Sequence, residues 1–301
     1  MRRRRALLVA NPTSGLGRTR RLADAVARRL SAGGLEVEIA LTPTRDAACR
    51  AVAAHIAQGG ERVIVAGGDG TISSVLGALA HAPAALGVIP TGMANAFARE
   101  LEIPLAWGAA CDLAAGERER RIDLGRAGEA YFALMAGVGF DADVVAHVSP
   151  RLKRFTGPCA YVATGLARAL TYRPVPLKVA WDDGELSARA LMLVVANTAR
   201  YTYRWSIATG ARPDDGLLDV VLFCCRRALD APVQVLGALT GRHARHPAVV
   251  TVRTRRLSIE CARPLPLQID GDPAGVAPQE MEIVPGALRV LAPPAPAIPR
   301  P

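Results

Sequence analysis

The feature that most limits the possible folds of this chain is a regular alternation of two apolar patterns over its first hundred residues. Short apolar runs alternate four times with segments whose apolar residues recur at helical spacing. The two patterns predict strands at 6–10, 36–42, 63–66 and 86–89, and helices at 20–31, 46–58, from about 71, and at 94–101. Such alternation is typical of a parallel sheet flanked by helices, so we expect an N-terminal α/β domain.

The pattern changes after about residue 124. Short apolar runs at 131–136, 177–181, 190–196, 218–223 and 249–259 are separated by turn signals such as Asp182-Asp183-Gly184. These runs predict a β-rich domain, antiparallel and sandwich-like, with one substantial helix near 159–170. We therefore expect an α/β domain at 1–124, a β-rich domain at 125–290 and a proline-rich tail at 291–301.

The charge of the chain favours an anionic partner. The formal net charge is +10, although arginine supplies 35 of the 37 basic residues (37 minus 2 lysines), so a compositional bias explains part of it. No helix-turn-helix, zinc-binding or RNP pattern accompanies the charge, and nucleic acid is therefore not an expected partner. A nucleotide or an acidic membrane surface fits the charge better.

The sequence also indicates where the protein works. No apolar run approaches the roughly 18 residues that span a bilayer, and the apolar stretch at 6–10 is a better first strand than a signal peptide. Six scattered cysteines without a CxxC pair are typical of free thiols in a reducing compartment. We expect a cytoplasmic protein that associates peripherally with the inner face of the membrane.

Three glycine-containing segments follow predicted parallel strands: 11–15 (NPTSG), 67–71 (GGDGT) and 90–95 (PTGMAN). Ligands of such sheets lie beyond the carboxyl ends of the strands. Glycine permits positive φ angles and lets a ligand approach the main chain, and the helix N-terminus that follows suits phosphate. Asp69 would oppose that phosphate unless a cation lies between them, so the segments predict a magnesium–nucleotide site. Each segment alone could also be a tight turn without a ligand.

Two common phosphate-binding patterns do not match. A GxGxxG pattern begun at Gly68 would need a glycine at Ser73, and residues 15–19 (GLGRT) lack the lysine and the first glycine of the P-loop.

Seven motifs in order do match a family. They are NPTSG, GGDGT, the PxGxxN segment followed by FAREL at 97–101, ID at 122–123, GFDA at 139–142, DGLLDV at 215–220 and DGD at 270–272. In this order, over residues 7 to about 290, the chain resembles the diacylglycerol kinase catalytic-domain family, bacterial lipid kinases similar to diacylglycerol and sphingosine kinases. The resemblance implies ATP and Mg²⁺ as cofactors, a nucleotide in the cleft between the domains, and a lipid hydroxyl as acceptor, diacylglycerol by default.

The resemblance also implies roles for individual residues. Asp272 is the implied proton acceptor, with Asp270 close behind it, and Asp69 and Asp123 would organise magnesium and water. A structural metal would be held by the Asp215 carboxylate and by main-chain carbonyls near Arg212 and Leu217. The implied nucleotide contacts are Asn11, Pro12, Thr13, Ser14, Gly15, Thr42, Gly67, Gly68, Asp69, Gly70, Thr71, Ser74, Gly92, Met93 and Asn95.

The chain departs from the family pattern at four places: Met93 replaces a threonine, Ala96 an aspartate, Ser73-Ser74 an Asn-Glu pair, and Asp272 a glutamate. These departures leave two alternatives open beside the lipid kinase. One is a NAD-kinase-like enzyme with a soluble acceptor, and the other is a catalytically weak nucleotide- or lipid-binding regulator. Without the family order, the DGD segment would be interpreted as a two-residue hairpin turn.

The substrate side is less defined by the sequence. Residues 151–173 combine basic residues, including Arg151, Lys153 and Arg154, with an apolar stripe, so this helix either lies on anionic lipid or packs on its own sheet. The aromatic segment 201–205 (YTYRW) could line the acceptor pocket, contact a membrane or belong to the core. A homodimer is compatible with the sequence.

Overall fold

The computed structural model describes residues 3–12, 19–148, 159–169, 171–200, 206–225, 230–261, 263–277 and 280–295. The chain forms two compact units, one made of Met1–Asp123 with Pro285–Pro301 and the other of Leu124–Val284. The sequence boundaries assigned residues up to 290 to the second domain, whereas the structure returns the chain to the first unit at Pro285. There the Gly286 N–H donates to Asp123 Oδ1 at 2.7 Å, and the His81 N–H donates to the Ala287 carbonyl at 2.8 Å.

The first unit is built on a parallel sheet. Its strands β1 (Arg4–Ala10), β2 (Leu35–Leu41), β3 (Arg62–Gly67) and β4 (Ala85–Pro90) lie in the order β2-β1-β3-β4. Beside β4, the end of the last strand of the chain (Glu280–Leu291) pairs in parallel through Val290 and Leu86. Leu8, Ile64 and Ile89 are fully buried, as expected for strands covered on both faces. The predicted α/β domain is confirmed.

Six helices are described in the first unit: α1 (Thr19–Ala32), α2 (Arg45–Ala57), α3 (Asp69–Ser73), α4 (Leu76–Leu79), α5 (Ala96–Glu100) and α6 (Trp107–Ala115). Helix α3 begins at Asp69, earlier than the start expected near Thr71. Helix α6 was not predicted, because its buried residues Ala110, Cys111 and Ala114 are small and give a weak periodic signal.

The second unit is antiparallel. Its strands are β5 (Glu119–Ala127, shared with the first unit), β6 (Ala130–Phe132), β7 (Met135–Gly139), β8 (Val175–Trp181), β9 (Gly184–Ala196), β10 (Leu218–Cys224), β11 (Val249–Thr254), β12 (Arg256–Cys261), β13 (Pro266–Ile269), β14 (Asp272–Val276) and the start of β15 (Glu280–Leu291). The long β9 pairs with β8 through its first half and with β7 and β10 through its second half. Alternate residues of β9 enter different buried clusters, Leu193 and Val195 in one and Val194 in the other, so both faces of the sheet are covered. The predicted sandwich-like β-rich domain is confirmed.

Helices α7 (Phe140–His147), α8 (Cys159–Ala169) and α9 (Asp230–Leu239) belong to the second unit. Only α8 was predicted, so the expectation of a single helix was incomplete. Helix α7 starts directly at the end of β7 without a polar break, and α9 carries Pro232 and Gly237, which weaken its helical pattern. Within the described ranges, no helix is both long and apolar enough to cross a bilayer.

Candidate active site

Two glycines at the carboxyl ends of β3 and β4 lie in direct contact. A Cβ placed on Gly92 would lie 2.6 Å from the Cα of Gly68, and one placed on Gly68 would lie 3.1 Å from the Cα of Gly92. Neither glycine uses the positive φ that glycine permits, since Gly68 has φ −98° and Gly92 is not among the described residues with positive φ. Glycine is required at position 92 because any side chain there would overlap the Gly68 backbone, and a side chain at position 68 would make a tight contact with Gly92.

Asn95 fixes the second of these turns. Its Oδ1 accepts a hydrogen bond from the Gly92 N–H at 2.9 Å, and its Nδ2 donates to the Gly92 carbonyl at 2.9 Å. Asn95 itself is left-handed, with φ +48° and ψ +48°, a conformation that asparagine tolerates better than most residues. The neighbouring Met93 side chain is 60% exposed, so the methionine does not contribute to the packing of the turn.

Asp69 joins the two turns. Its carboxylate accepts hydrogen bonds from the N–H groups of Ala96 at 3.1 Å and Phe97 at 3.0 Å, the first two residues of α5. The acid among the glycines is therefore neutralised in part by a helix N-terminus, and it does not require a cation on electrostatic grounds. Two of the roughly four lone-pair sites of a carboxylate are used in this way. The remaining sites fit a hydrated magnesium ion, so the residues present are compatible with one.

The structure assembles only part of the predicted nucleotide set. A Cβ on Gly67 would lie 2.5 Å from Thr71 Oγ1, and the Ser74 hydroxyl donates to the Thr71 carbonyl at 2.6 Å, so GGDGT and Ser74 form one compact turn around the start of α3. Gly70 is exposed at this turn. Thr42, at the end of β2, is buried, and its hydroxyl has no hydrogen-bond partner among the described residues. Asn11 and Pro12 follow β1, while Thr13, Ser14 and Gly15 lie outside the described residues.

Arg45 is a residue at this edge that sequence analysis missed. It begins α2, just after the carboxyl end of β2, and donates to the Ser73 carbonyl at 3.3 Å and to the Ser73 Oγ at 3.2 Å. The sequence does contain a signal that could have identified Arg45. It is a basic residue between a predicted strand and the following helix, which is also where the glycine turns lie. At Ser73, which the resemblance marked as a departure from the family pattern, the hydroxyl accepts a hydrogen bond from Arg45.

The DGD segment of the second unit is a two-residue hairpin turn. Asp270 has φ +50° and Gly271 φ +86°, and the turn joins β13 to β14. The Asp270 carboxylate accepts hydrogen bonds from the N–H groups of Ala133, Leu134 and Met135 at 2.9–3.0 Å. Asp270 therefore anchors the turn to the segment before β7. Asp272 is the partly buried first residue of β14.

A buried polar pair supports the same hairpin. Gln268 Nε2 donates to Asp141 Oδ2 at 2.8 Å, and Gln268 Oε1 accepts from the Gly271 N–H at 2.8 Å. Both side chains are almost fully buried, and a Cβ on Gly137 would lie 1.8 Å from Asp141 Oδ2. Asp141 in GFDA thus has a structural role in positioning the turn. Asp123, predicted to organise magnesium and water, is likewise buried, with Oδ1 on the Gly286 N–H.

The turn at Asp215, which was predicted to bind a metal, forms an ion pair with an arginine. Asp215 Oδ1 accepts from the Leu217 N–H at 3.1 Å, while its Oδ2 is paired with the Arg253 guanidinium, which also lies 3.4 Å from Asp219 Oδ2. Arg212, near which a carbonyl ligand was expected, pairs through its side chain with Asp214 at 3.6 Å. Burial raises the pKa of Asp219, an acid that sequence analysis did not single out.

These donors do not fit a magnesium ion as they stand. A guanidinium already occupies the side of Asp215 that a cation would need, and two positive charges at one carboxylate repel each other. Across the described residues, no group of three or more His, Cys, Asp or Glu side chains is placed to hold a metal. The Asp215 metal site stays a prediction that would require Arg253 to move.

The described residues form an α/β unit and an antiparallel β-rich unit, with paired glycine turns at the carboxyl edge of the parallel sheet. Residues 5–127 match the family model of the diacylglycerol kinase catalytic domain, and residues 135–292 match that of the YegS C-terminal NAD kinase beta sandwich-like domain. The chain belongs to this family of diacylglycerol kinase-like phosphotransferases.

Individual relatives agree over almost the whole chain. It is 34% identical to a protein of Pseudomonas fluorescens named "Probable lipid kinase YegS-like", covering 97% of both chains. It is 27% identical to a "Diacylglycerol kinase" of Staphylococcus carnosus, covering 92% of this chain and 91% of the relative. A crystal structure of a diacylglycerol kinase from Bacillus anthracis aligns with a TM-score of 0.73 at 19% identity over 98% of this chain and 99% of that one, a likeness of fold.

The Asp69 contacts predict a loss of stability. We expect Asp69→Ala to lower the free energy of unfolding by about 1–2 kcal/mol, because the Ala96 and Phe97 N–H groups lose their acceptor. Asp69→Asn should lose less, since its amide oxygen can still accept one of these bonds. Urea denaturation measures both, with Asp46→Ala, an exposed acid in the first turn of α2, as the control. An equal loss in Asp46→Ala, or no loss in Asp69→Ala, would contradict the bridging role.

The Arg253 contacts predict how the second unit responds to chelation. We expect EDTA to leave the melting temperature of the wild type unchanged, and Arg253→Gln to lower stability by about 1–2 kcal/mol, because Asp215 and Asp219 lose their shared cation. Arg256→Gln is the matched control, since Arg256 is 64% exposed and lies 3.5 Å from Glu282. A drop in melting temperature with EDTA that disappears in Asp215→Ala would instead establish the metal site.

Proposed function

We propose that the protein is an ATP-dependent lipid kinase that transfers the γ-phosphoryl group to a lipid hydroxyl, with diacylglycerol as the expected acceptor. The observation that carries the proposal is the contact between the Gly68 and Gly92 turns, bridged by Asp69, at the edge of the sheet where α/β proteins bind ligands. Its membership of the diacylglycerol kinase family and the names of its relatives support the substrate class.

The glycine turns would hold the nucleotide. Backbone N–H groups at the GGDGT turn before α3 are suited to phosphate oxygens, and the absence of side chains at Gly68 and Gly92 keeps the main chain accessible. The buried hydroxyl of Thr42, which has no hydrogen-bond partner among the described residues, lies at the end of β2 on the same edge of the sheet and is suited to a polar contact with the nucleotide. Magnesium, when bound with ATP, would neutralise charge on the phosphate oxygens, with Asp69 holding its water ligands.

Asp272 would accept the proton of the acceptor hydroxyl. In the transfer, the acceptor oxygen forms a bond to the γ-phosphorus, the bond from that phosphorus to the β–γ bridging oxygen breaks, and ADP leaves. The proton of the hydroxyl passes to the carboxylate. Asp270 is less suited to this step because its oxygens already accept three N–H groups, so its role is to position the turn that carries Asp272.

The direct test is incubation of the protein with labelled ATP and Mg²⁺ in the presence of three acceptors: diacylglycerol, a total lipid extract and NAD. We expect label in phosphatidic acid when diacylglycerol is supplied. Label in another lipid would keep the lipid kinase and change the acceptor, whereas label in NAD alone would establish the soluble-acceptor alternative. Nucleotide binding without any labelled product would favour a regulator.

The two aspartates of the hairpin predict different kinetic defects. We expect Asp272→Asn to lower kcat by about 10²–10⁴ with an unchanged KM for ATP, because a general base acts on the acceptor. Asp272→Glu should stay active, and Asp270→Asn should mainly lower stability. Asp183→Asn, in the exposed β8–β9 hairpin, controls for the loss of a turn carboxylate. If Asp270→Asn were inactive and well folded while Asp272→Asn kept full activity, the base would be Asp270.

A further inference from the structure

Helices α8 and α9 pack against each other and expose an uncharged, apolar surface. Helix α8 turns Ala160, Gly165 and Ala169 inwards, and α9 turns Ala231, Gln234 and Val235 inwards. The outward side, called here the helical face, consists of Val162, Ala163, Leu166 and Ala167 of α8 with Val233 and Leu236 of α9. Leu166, Val233 and Leu236 are 48%, 53% and 58% exposed, among the most exposed large apolar side chains described.

The composition of this face differs from that of an ordinary surface helix of the same chain. Helix α1 exposes Arg20, Arg21, Arg28 and Arg29 opposite its buried side, as expected for a helix that faces water. The charged residues of α8 and α9 are only Arg168, which is paired with Asp143 at 2.7 Å, and Asp230 in the first turn of α9. The chain has 35 arginines (37 basic residues minus 2 lysines), yet this two-helix face carries no unpaired charge. An exposed apolar patch of this kind is typical of a surface that binds a partner.

Positive charge lies directly beyond the face. Arg242 and Arg245 follow the end of α9, both are exposed, and neither forms an ion pair with an acidic side chain of the described residues. This short segment packs back on α9, since the Arg242 N–H donates to the Gly237 carbonyl at 2.8 Å. Exposed apolar side chains beside unpaired arginines are the combination that binds a bilayer containing anionic lipid.

We propose that the helical face, with Arg242 and Arg245, docks the protein on the surface of an anionic bilayer. The proposal rests on the proposed lipid kinase function for its choice of occupant, since a kinase of a water-insoluble acceptor must meet that acceptor at a membrane. The sequence expectation placed membrane contact at the basic segment around Arg151, which lies outside the described residues. The apolar stripe predicted within residues 151–173 does not lie on one side of α8. Tyr161 and Ala169 pack with the core, whereas Leu166 belongs to the helical face.

The binding test uses sedimentation with vesicles of phosphatidylcholine containing phosphatidylglycerol, and with vesicles of phosphatidylcholine alone. We expect the wild type to bind the anionic vesicles and to bind the neutral ones weakly. The double variant Val233→Glu/Leu236→Glu should weaken binding at least about tenfold, because two side chains no longer enter the apolar region. Ile39→Glu, which changes a 37% exposed residue of β2 in the first unit, should bind as the wild type does.

A second variant separates charge from apolar contact. Arg242→Gln/Arg245→Gln should weaken binding by roughly fivefold for each arginine at low salt, and this effect should shrink as salt rises. Insertion is measured with Leu236→Trp, whose fluorescence should shift to the blue and be quenched by brominated lipid, whereas Ile39→Trp should show neither change. These readouts also apply if the double-glutamate variant is unstable.

A kinetic comparison separates this proposal from the proposed function. With a short-chain diacylglycerol dissolved in water, Val233→Glu/Leu236→Glu should turn over as the wild type does, whereas with diacylglycerol in anionic vesicles its apparent KM should rise. If the protein transferred phosphate to no lipid but still bound vesicles in a way that depends on Leu236, the proposed kinase function would be refuted and the docking proposal would stand.

Three results would overturn the docking proposal. The wild type could fail to bind anionic vesicles, the double-glutamate variant could bind them as the wild type does, or Ile39→Glu could weaken vesicle binding as much as the double-glutamate variant does. A dimer in sedimentation analysis that Leu236→Glu converts to a monomer, without vesicle binding, would assign the face to a second copy of the chain.

Discussion

The candidate active site depends on one contact, the approach of the Gly68 and Gly92 backbones to within the space of a single methyl group. Once the two turns meet, Asp69 of one reaches the first amides of the helix that follows the other, and Asn95 closes the second turn on itself. The site is therefore rigid through backbone hydrogen bonds rather than through large side chains.

The sequence predicted the fold class well because the apolar residues of both domains follow simple periodicities. The prediction failed where a helix had a weak apolar pattern, or where a contact joined residues far apart in the sequence. Helix α6 buries small residues, and α9 carries Pro232 and Gly237, so neither gave a clear pattern. The role of Asp69 could not be predicted, because its partners are amides of Ala96 and Phe97 on another turn. Asp270 is a similar case: the hairpin was evident, whereas its three amide partners at 133–135 become neighbours only in the folded sheet.

One departure from the family pattern, Ser73, and one predicted metal turn, at Asp215, each contact an arginine. The hydroxyl and carbonyl of Ser73 accept hydrogen bonds from Arg45, which places a guanidinium near the edge of the sheet. The Asp215 turn is bound to Arg253, which supplies from within the chain a positive charge that a metal would otherwise bring. The partner in both places is an arginine, in keeping with the arginine-rich composition. Met93, in contrast, is exposed, and nothing in the packing of its turn explains it.

The return of the chain to the first unit at Pro285 has a consequence for synthesis. A ribosome produces β1 to β4 before the second unit, but it produces the strand that pairs with β4 through Val290 only after that unit. The second unit lies entirely between these two events and can complete its own sheets first. The nascent first unit must therefore wait with the edge of β4 unpaired, an aggregation hazard that its late strand removes.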